Sequence, residues 1–392
     1  MKVGFVVWNP FQLIQFESIA SKLNFPTVFI IRKNNNMRLF SPLVFKDKKW
    51  KVEFIKPSDI QIIDGICDIL LFQSAFPNIE KIRKSKLVSL QYGLAKERHN
   101  YGEWRALSDM NLMYGSYSSN VASHYSPSYS VGNPKFDDWE EYKKKYSNKH
   151  VIYNELGLDP NKKTLLYMPT WGELGSFFEL LDTMASLQCK YNVILKMHHN
   201  NDAKTPAWIN FANELSLKHI YDGSSDQLKL LCAADLVISD FSGAIFDGLY
   251  AKKPILLYQA GIENKLGIQK FDLNSLEFHR REDIGYVCTK ISDFESSIQY
   301  CMENADELVL KASSLREDLF YLDYENSSSQ LCVDYITKLH NGLIPSLSQA
   351  QLYVRETVKE LRGCRLKIKG CEKKTIIKVI SNRMKSLILM RR

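Results

Sequence analysis

The sequence contains no run of the roughly 18 apolar residues that a membrane-spanning helix needs. The apolar start at residues 1–7 is short and a Trp-Asn-Pro sequence follows it directly, so we expect no signal peptide. The eight cysteines include no Cys-x-x-Cys pair, which indicates reduced thiols in a cytosolic protein. Apart from the adjacent His198 and His199, no Cys or His pair has ligand spacing, so we expect no metal site and no cofactor.

Most of the chain also lacks an excess of charge. The 392 residues include 52 Lys and Arg and 44 Asp and Glu, which gives a net charge of +8. Twelve of the basic residues and two of the acidic ones lie in residues 359–392, so this tail carries +10 and the rest of the chain −2. A near-neutral body argues against nucleic acid as a partner, because proteins that bind nucleic acid present a basic face.

The basic tail has the pattern of an amphipathic helix. In residues 374–392, apolar side chains recur at helical spacing, with lysine and arginine between them. Such a helix can lie in an anionic membrane surface, and we predict this role for the tail. The alternative is a C-terminal helix that packs on the first domain with its lysines in solvent. We therefore expect a cytoplasmic protein, peripheral on the inner face of the cell membrane.

Short apolar runs alternate with helical patterns along the chain. Ten runs of four to six residues are typical of buried strands, six of them before residue 115 and four between residues 164 and 258. This alternation predicts doubly wound parallel α/β domains. A polar segment at 138–149 separates the two series. The predicted domains are 1–150, 151–340, and C-terminal helices with the basic tail at 341–392.

Two stretches of the second series place polar residues directly after a strand, where open parallel sheets bind ligands. Thr170, in a Pro-Thr-Trp loop, offers a hydroxyl to the edge of a cleft. His198 and His199 follow the next strand, and a histidine there can transfer a proton or hold a phosphate. Adjacent residues of an extended chain point to opposite sides, so we expect only one of them to face the cleft. An ordinary turn and a surface histidine would give the same patterns.

The most informative stretch ends a third strand at Asp240. Ser242 and Gly243 then begin a predicted helix that carries Asp247. Ser242 is a suitable N-cap, Gly243 lets a ligand approach the backbone, and the N–H groups of a helix start favour a phosphate. A capped helix without a ligand is the alternative.

The loop after the strand at 86–91 contains Tyr92, Lys96, Arg98 and His99. These side chains can bind an anion or transfer a proton. The alternative is a solvated loop. The tight turn at 131–137 ends the first domain, and Asn133 or Lys135 could face the cleft.

Together these motifs resemble the CDP-glycerol glycerophosphotransferase family, the teichoic-acid type of polymerases and primases, over roughly residues 85–290. The family has a Pro-Thr-Trp loop, a His usually followed by Pro, and an Asp-aromatic-Ser-Ser motif followed by Phe-Asp. The matching segments here are Pro169-Thr170-Trp171, His198, Asp240-Phe241-Ser242 and Phe246-Asp247. The resemblance implies a GT-B fold, in which two Rossmann-like domains face a cleft.

The sequence departs from the family pattern at several positions. The first domain of the family carries a His-Gly-x-x-x-Lys motif, whose His is taken as the acceptor-side base. Here this segment begins with Tyr92, although His99 lies nearby. His199 stands in place of the Pro, and Gly243 replaces the second Ser. A tyrosine with an ordinary pKa near 10 is a poor base at neutral pH.

The resemblance implies a transferase that moves glycerol phosphate or a similar polyol phosphate from a CDP-linked donor to a hydroxyl of a lipid-linked or growing glycan, releasing CMP. It implies that proton chemistry belongs to His198, with His99 or Tyr92. The implied donor-binding residues are Thr170, Trp171, Asp240, Ser242, Gly243 and Asp247 of the second domain and Lys96 and Arg98 of the first. Of these, Asp240 and Asp247 are expected to fix the loop and to contact the ribose or a lysine. A GT-B glycosyltransferase that uses a nucleotide sugar, and a non-catalytic adaptor of a polysaccharide assembly complex, stay open as alternatives.

Overall fold

The computed structural model describes residues 1–32, 50–172, 174–259, 261, 273–323, 325–365 and 367–368. These residues form two parallel β-sheets with helices around them. No helix within these ranges is long and apolar enough to cross a membrane. The segment 374–392, for which we predict membrane contact, lies outside the described residues.

The first sheet has seven parallel strands in the order β3-β2-β1-β4-β5-β6-β7. Strand order reverses between β1 and β4, which pair in parallel from Val3 opposite Ile69. Every residue of these two strands is buried, as expected for strands covered by helices on both faces. The strands are β1 Val3–Val7, β2 Thr27–Arg32, β3 Lys51–Ile55, β4 Ile69–Phe72, β5 Lys86–Leu90, β6 Met110–Met113 and β7 Ser128–Ser130.

The second sheet has six parallel strands in the order β10-β9-β8-β11-β12-β13. Here the order reverses between β8 and β11, which pair from Leu165 opposite Leu236. Both sheets therefore have the doubly wound order of a dinucleotide-binding fold, and the predicted α/β class with two such domains is confirmed. The strands are β8 Thr164–Tyr167, β9 Asn192–Lys196, β10 His219–Tyr221, β11 Leu236–Ser239, β12 Ile255–Tyr258 and β13 Tyr286–Cys288.

Helices connect the strands and cover the sheets. The α-helices are Phe11–Lys22, Glu97–Asn100, Ser116–Ser123, Trp139–Lys145, Lys149–Leu156, Phe177–Ser186, His199–Lys204, Trp208–Glu214, Gln227–Ala233, Ala244–Tyr250, Leu276–His279, Arg281–Ile284, Phe294–Glu303, Ala305–Lys311, Ser313–Leu319, Ser328–His340 and 349–365. Short 3-10 segments are Pro57–Ile63, Ile79–Lys81, Glu103–Leu107, Pro134–Phe136, Leu187–Cys189 and Ile291–Asp293.

The C-terminal helices return to the first sheet. Cys332 and Ile336 of the helix Ser328–His340 are buried in the core formed around Phe5 and Phe16. In the helix 349–365, Val358 packs into the core on the other face of this sheet. We therefore place the return to the first sheet near residue 320 rather than at 340.

The chain crosses between the sheets twice, and the two crossings touch. Gly132 lies in the first crossing with φ of 78°, and a Cβ on it would meet Ser328 and approach the Tyr321 carbonyl oxygen to 2.9 Å. Asp137 accepts hydrogen bonds from the Ser329 amide at 3.1 Å and from the Lys22 amine at 3.3 Å. Glycine is needed at 132 because an L side chain would be strained and would clash there.

Candidate functional site

A pocket lies between the two sheets at the carboxyl ends of their strands. It is lined from the first sheet by the loop after β5 and from the second by the segments after β8, β9 and β11. This is the position at which open parallel sheets bind ligands. The predicted site residues that line it are Tyr92, Lys96, His99, Thr170, His198, Ser242, Gly243 and Asp247.

Asp240 holds the loop between β8 and the next helix in place. Its side chain is fully buried, and its two oxygens accept hydrogen bonds from the backbone amides of Thr170 at 2.9 Å and Ser176 at 2.8 Å. The Ser176 hydroxyl donates a third bond at 2.8 Å. Asp240 therefore fixes this loop, and its side chain does not itself line the pocket. Trp171 does not line the pocket either.

The Ser242–Gly243 turn forms part of the pocket wall. The regular helix begins at Ala244, but Gly243 already has helical dihedral angles. The Ser242 hydroxyl oxygen accepts a bond from the Ala244 amide at 3.3 Å, two residues on, as the side chain of an N-cap does. The predicted capping role of Ser242 is therefore confirmed. A Cβ on Gly243 would lie 3.7 Å from the Ala95 Cβ, so this turn lies close to the first domain.

Both histidines after β9 line the pocket, although the sequence analysis predicted only one. The strand ends at Lys196, and a helix begins at His199, so the alternation of an extended chain does not apply here. The Nδ1 atom of His198 accepts the Asn200 amide at 3.1 Å. In the neutral ring this bond places the proton on Nε2, which becomes the donor nitrogen. His198 therefore caps its helix with one nitrogen and keeps a donor on the other.

His199 contacts the first domain. Its ring stacks on Phe11 with centroids 4.9 Å apart and planes at 12°, and on His198 at 4.2 Å and 29°. The Tyr92 hydroxyl oxygen lies 3.3 Å from its Nε2 atom. Burial raises the pKa of Tyr92 above its ordinary value, and the nearby side chain of Asn9 acts in the opposite direction. An isolated Tyr92 therefore loses its proton even less readily at neutral pH than a tyrosine with an ordinary pKa does.

The loop after β5 presents Lys96 and His99 to the pocket. Lys96 has a left-handed backbone with φ of 61°, and its amide donates to the Glu277 carboxylate at 2.7 Å. Burial raises the pKa of Glu277 to about 7. The side chain of His99 is exposed in part, but the protein that surrounds its ring removes some solvent from it. This desolvation, together with the positive charges of Lys96 and Arg105, lowers the pKa of His99. The ring is therefore neutral at pH 7.

Arg98 lies outside the pocket. Its side chain is exposed and is not among the residues that line the cavity, although its neighbours Lys96 and His99 are. Arg98 belongs to the short helix Glu97–Asn100, and its predicted contribution to donor binding has no support in the pocket lining.

Lys135 joins the crossing segment to the second domain. Its amine lies 2.7 Å from the Asp247 carboxylate and 3.1 Å from the Gln227 side-chain oxygen. The Lys135 and Asp247 side chains are 7% and 16% exposed, so this is a largely buried ion pair. Asp247 therefore contacts a lysine, as the sequence analysis allowed.

Among the pocket residues that sequence reasoning missed are Lys196 and Phe11. Lys196, the last residue of β9, is 7% exposed, and its amine lies 3.4 Å from the Asp222 and Gly223 carbonyl oxygens. It precedes His198 by two residues, and this spacing could have placed both on one side of the strand. Phe11, at the start of the first helix, had no sequence signal, because only the fold brings it to the histidines.

The charges that line the pocket suit an anionic ligand. Three lysines reach it, and Asp247, the carboxylate among the described lining residues, is engaged by one of them. Side-chain hydroxyls of Thr170 and Ser242 lie on the same wall. Within the described residues, no group of three or more His, Cys, Asp and Glu side chains could hold a metal ion. The lining lysines are Lys96, Lys135 and Lys196.

Curated proteins of teichoic acid synthesis are similar to this chain. The teichoic acid poly(glycerol phosphate) polymerase of Bacillus spizizenii is 29% identical over 123 residues, which cover 29% of this chain and 30% of that protein. The teichoic acid poly(ribitol-phosphate) polymerase of the same organism is 26% identical over 243 residues, 56% of this chain and 36% of that protein. The chain thus spans about a third of the length of these relatives.

The fold is also found in a solved structure. The wall teichoic acid polymerase TagF superposes with a TM-score of 0.62 at 17% sequence identity, covering 87% of this chain and 89% of that chain. This likeness supports the two-domain GT-B fold. The sequence profile of the family CDP-Glycerol:Poly(glycerophosphate) glycerophosphotransferase matches residues 97–338, more than half of the chain and both sides of the pocket. This chain belongs to the CDP-glycerol:poly(glycerophosphate) glycerophosphotransferase family.

Proposed function

We propose that this chain transfers a polyol phosphate, glycerol phosphate in the first instance, from a CDP-linked donor to a hydroxyl of a glycan and releases CMP. The observation that carries the proposal is the pocket, in which Lys96 and Lys196 meet His198, Thr170 and Ser242 at the strand ends of both sheets. A pyrophosphate needs such cations and donors. Curated relatives named for poly(glycerol phosphate) and poly(ribitol-phosphate) polymerases support a polyol phosphate as the transferred unit.

In the proposed reaction, the acceptor oxygen attacks the phosphorus that carries the polyol. The bond from this phosphorus to the bridging oxygen breaks, and CMP leaves with that oxygen. The acceptor proton passes to a base on the pocket wall. His198 donates from Nε2 to a phosphate oxygen, while Lys96 and Lys196 stabilise the charge that develops on the transferred group. Residues 1–150 would present the acceptor side and the second sheet the donor side.

The donor assignment can be tested with the purified full chain. We expect CMP release from CDP-glycerol in the presence of a glycan acceptor, and a product heavier by one or more glycerol phosphate units. CDP-ribitol is the second donor to compare, since one curated relative is named for ribitol phosphate. Turnover with a UDP-sugar and none with either CDP-polyol would contradict the proposal. Calorimetric titration with CMP tests the third alternative, a non-catalytic adaptor, because an adaptor with no active site would bind no nucleotide.

The basic tail at 374–392 is the segment that we expect to hold the enzyme at an anionic membrane. Its apolar side chains can enter the bilayer surface while its lysines and arginines bind anionic lipid head groups. A lipid-linked acceptor would be found at the same surface. In flotation with vesicles that contain anionic lipid, the full chain is expected to float and a chain shortened to residues 1–362 to stay in the lower fraction. Neutral vesicles serve as the control. Equal flotation of both chains would show that the tail is not the anchor.

A further inference from the structure

Two pocket residues from opposite sheets contact each other. Tyr92 follows β5 of the first sheet and His199 follows β9 of the second. By the motif resemblance given above, they stand where the family pattern has a histidine and a proline. The Tyr92 hydroxyl oxygen and the Nε2 atom of His199 are 3.3 Å apart, and both side chains line the pocket. A hydrogen bond therefore joins the two domains at the pocket wall.

The direction of this bond follows from the protonation of the phenol. Because burial raises the pKa of Tyr92, its hydroxyl keeps its proton at neutral pH and donates to His199. Nε2 of His199 is then the acceptor nitrogen, and in the neutral ring the proton lies on Nδ1. The lone pair of Nε2 is thus directed at the phenol, as a proton relay requires.

The surroundings fix the ring of His199. The ring lies between Phe11, 4.9 Å away, and His198, 4.2 Å away, so one stacking partner comes from each domain. The ionisable groups around it are Tyr92, His198 and, across the Phe11 ring, the Lys135 amine with its partner Asp247. These stacking contacts and the bond to Tyr92 hold the ring of His199 in a single orientation, with Nε2 directed at the phenol.

Resting on the proposed phosphotransfer, we propose that Tyr92 and His199 act together as the proton acceptor for the attacking hydroxyl. The hydroxyl proton passes to the Tyr92 oxygen while Tyr92 gives its own proton to Nε2 of His199. The acceptor oxygen forms its bond to phosphorus, and CMP leaves with the bridging oxygen. Tyr92 ends unchanged and His199 ends as an imidazolium, which returns its proton to solvent.

The relay explains how a tyrosine can stand where the family has a histidine. A phenol alone would have to become a phenolate in a buried position, which its surroundings oppose. With His199 as the final acceptor, negative charge does not have to remain on the phenol oxygen.

The test uses CMP release by the full chain with four changes at these positions. Tyr92→Phe and His199→Asn are each expected to lower kcat by about 10²-fold, and the double variant no further, because both residues belong to one path. Tyr92→His combined with His199→Pro, which restores both family residues, is expected to recover kcat to within about tenfold of wild type. Tyr300→Phe at the exposed surface is the control and should change nothing.

Two further measurements separate a relay from a structural contact. The fall of kcat/KM at acid pH in the wild type, where an imidazole base becomes protonated, should be absent in His199→Asn. Histidine ¹⁵N spectra of the wild type should show Nε2 of His199 unprotonated, with a changed tautomer population in Tyr92→Phe. This readout needs no turnover, so it tests the contact even if CDP-glycerol is not the donor.

Several results would overturn the proposal. In one such result, the losses of kcat in Tyr92→Phe and His199→Asn would multiply in the double variant, and Tyr92→His combined with His199→Pro would be inactive. The contact would then have a structural role only. Normal kcat in Tyr92→Phe, or a comparable loss in His99→Ala alone, would place the base elsewhere. A wild type in which Nε2 of His199 carries the proton would contradict the direction of the bond. Failure of the proposed function is a separate result, since the wild type itself would then release no CMP.

Discussion

Replacing His198 with asparagine is expected to lower kcat by about 10²–10³-fold while the protein stays folded. His198 uses Nδ1 to cap its helix through the Asn200 amide, and asparagine is a good N-cap that can supply this acceptor. The variant loses only the Nε2 donor, which we place against a phosphate oxygen that gains charge in the transition state. Steady-state CMP release measures kcat, and circular dichroism with the melting temperature measures folding.

The matched control for this change is His150→Asn. His150 is exposed on the helix Lys149–Leu156 and lies outside the pocket, so its replacement should leave kcat within twofold. His198→Ala adds a second comparison, because it removes the helix cap as well as the Nε2 donor. Its free energy of unfolding should be about 1 kcal/mol lower than that of His198→Asn, and its melting temperature should be lower accordingly. Near-normal turnover in a folded His198→Asn would remove His198 from the mechanism.

Replacing Lys135 with methionine is expected to lower the free energy of unfolding by about 3 kcal/mol, because it leaves the largely buried Asp247 without its cation. The same change removes one of the positive charges that line the pocket, so donor affinity should fall as well. Urea denaturation measures the first effect, and calorimetric titration with CDP-glycerol measures the second.

A double-mutant cycle isolates the ion pair. Lys135→Met combined with Asp247→Asn should be more stable than Lys135→Met alone, because no charge is then left buried. Lys190→Met is the control: its pair with Glu295 has side chains 60% and 54% exposed, and its loss should cost less than about 1 kcal/mol. If Lys135→Met and Lys190→Met lowered the free energy of unfolding equally, burial would not be the reason why the Lys135 ion pair stabilises the fold.

The sequence predicted the centre of each sheet better than its edges. All ten predicted strands exist, and nine of them lie inside a sheet, where a strand covered on both faces has a continuous apolar run. The tenth, β3, is an edge strand with no buried residue. The three strands without a prediction, β7, β10 and β13, are edge strands of three residues, and Cys288 is the one buried residue among them. Segments such as Ser128–Ser130 have neither a long apolar run nor clear alternation, so only pairing with a neighbour identifies them.

The site was predictable where topology alone decides position. Thr170, His198 and Ser242 follow parallel strands of one sheet, and the carboxyl ends of such strands share one edge. The contact between Tyr92 and His199 could not be predicted, because it depends on how the two sheets face each other. The position of Arg98 outside the pocket likewise involves a four-residue helix that the sequence pattern does not reveal.

The two chain crossings touch at Gly132, so both connections between the sheets pass through one point. A rotation of one sheet relative to the other about this point would displace the linking segments least. The same rotation would separate Tyr92 from His199 and the Lys96 amide from Glu277, which lie across the cleft. The proton acceptor that we propose would then be complete only when the two sheets face each other as they do here, and a donor bound in a wider cleft would not be activated.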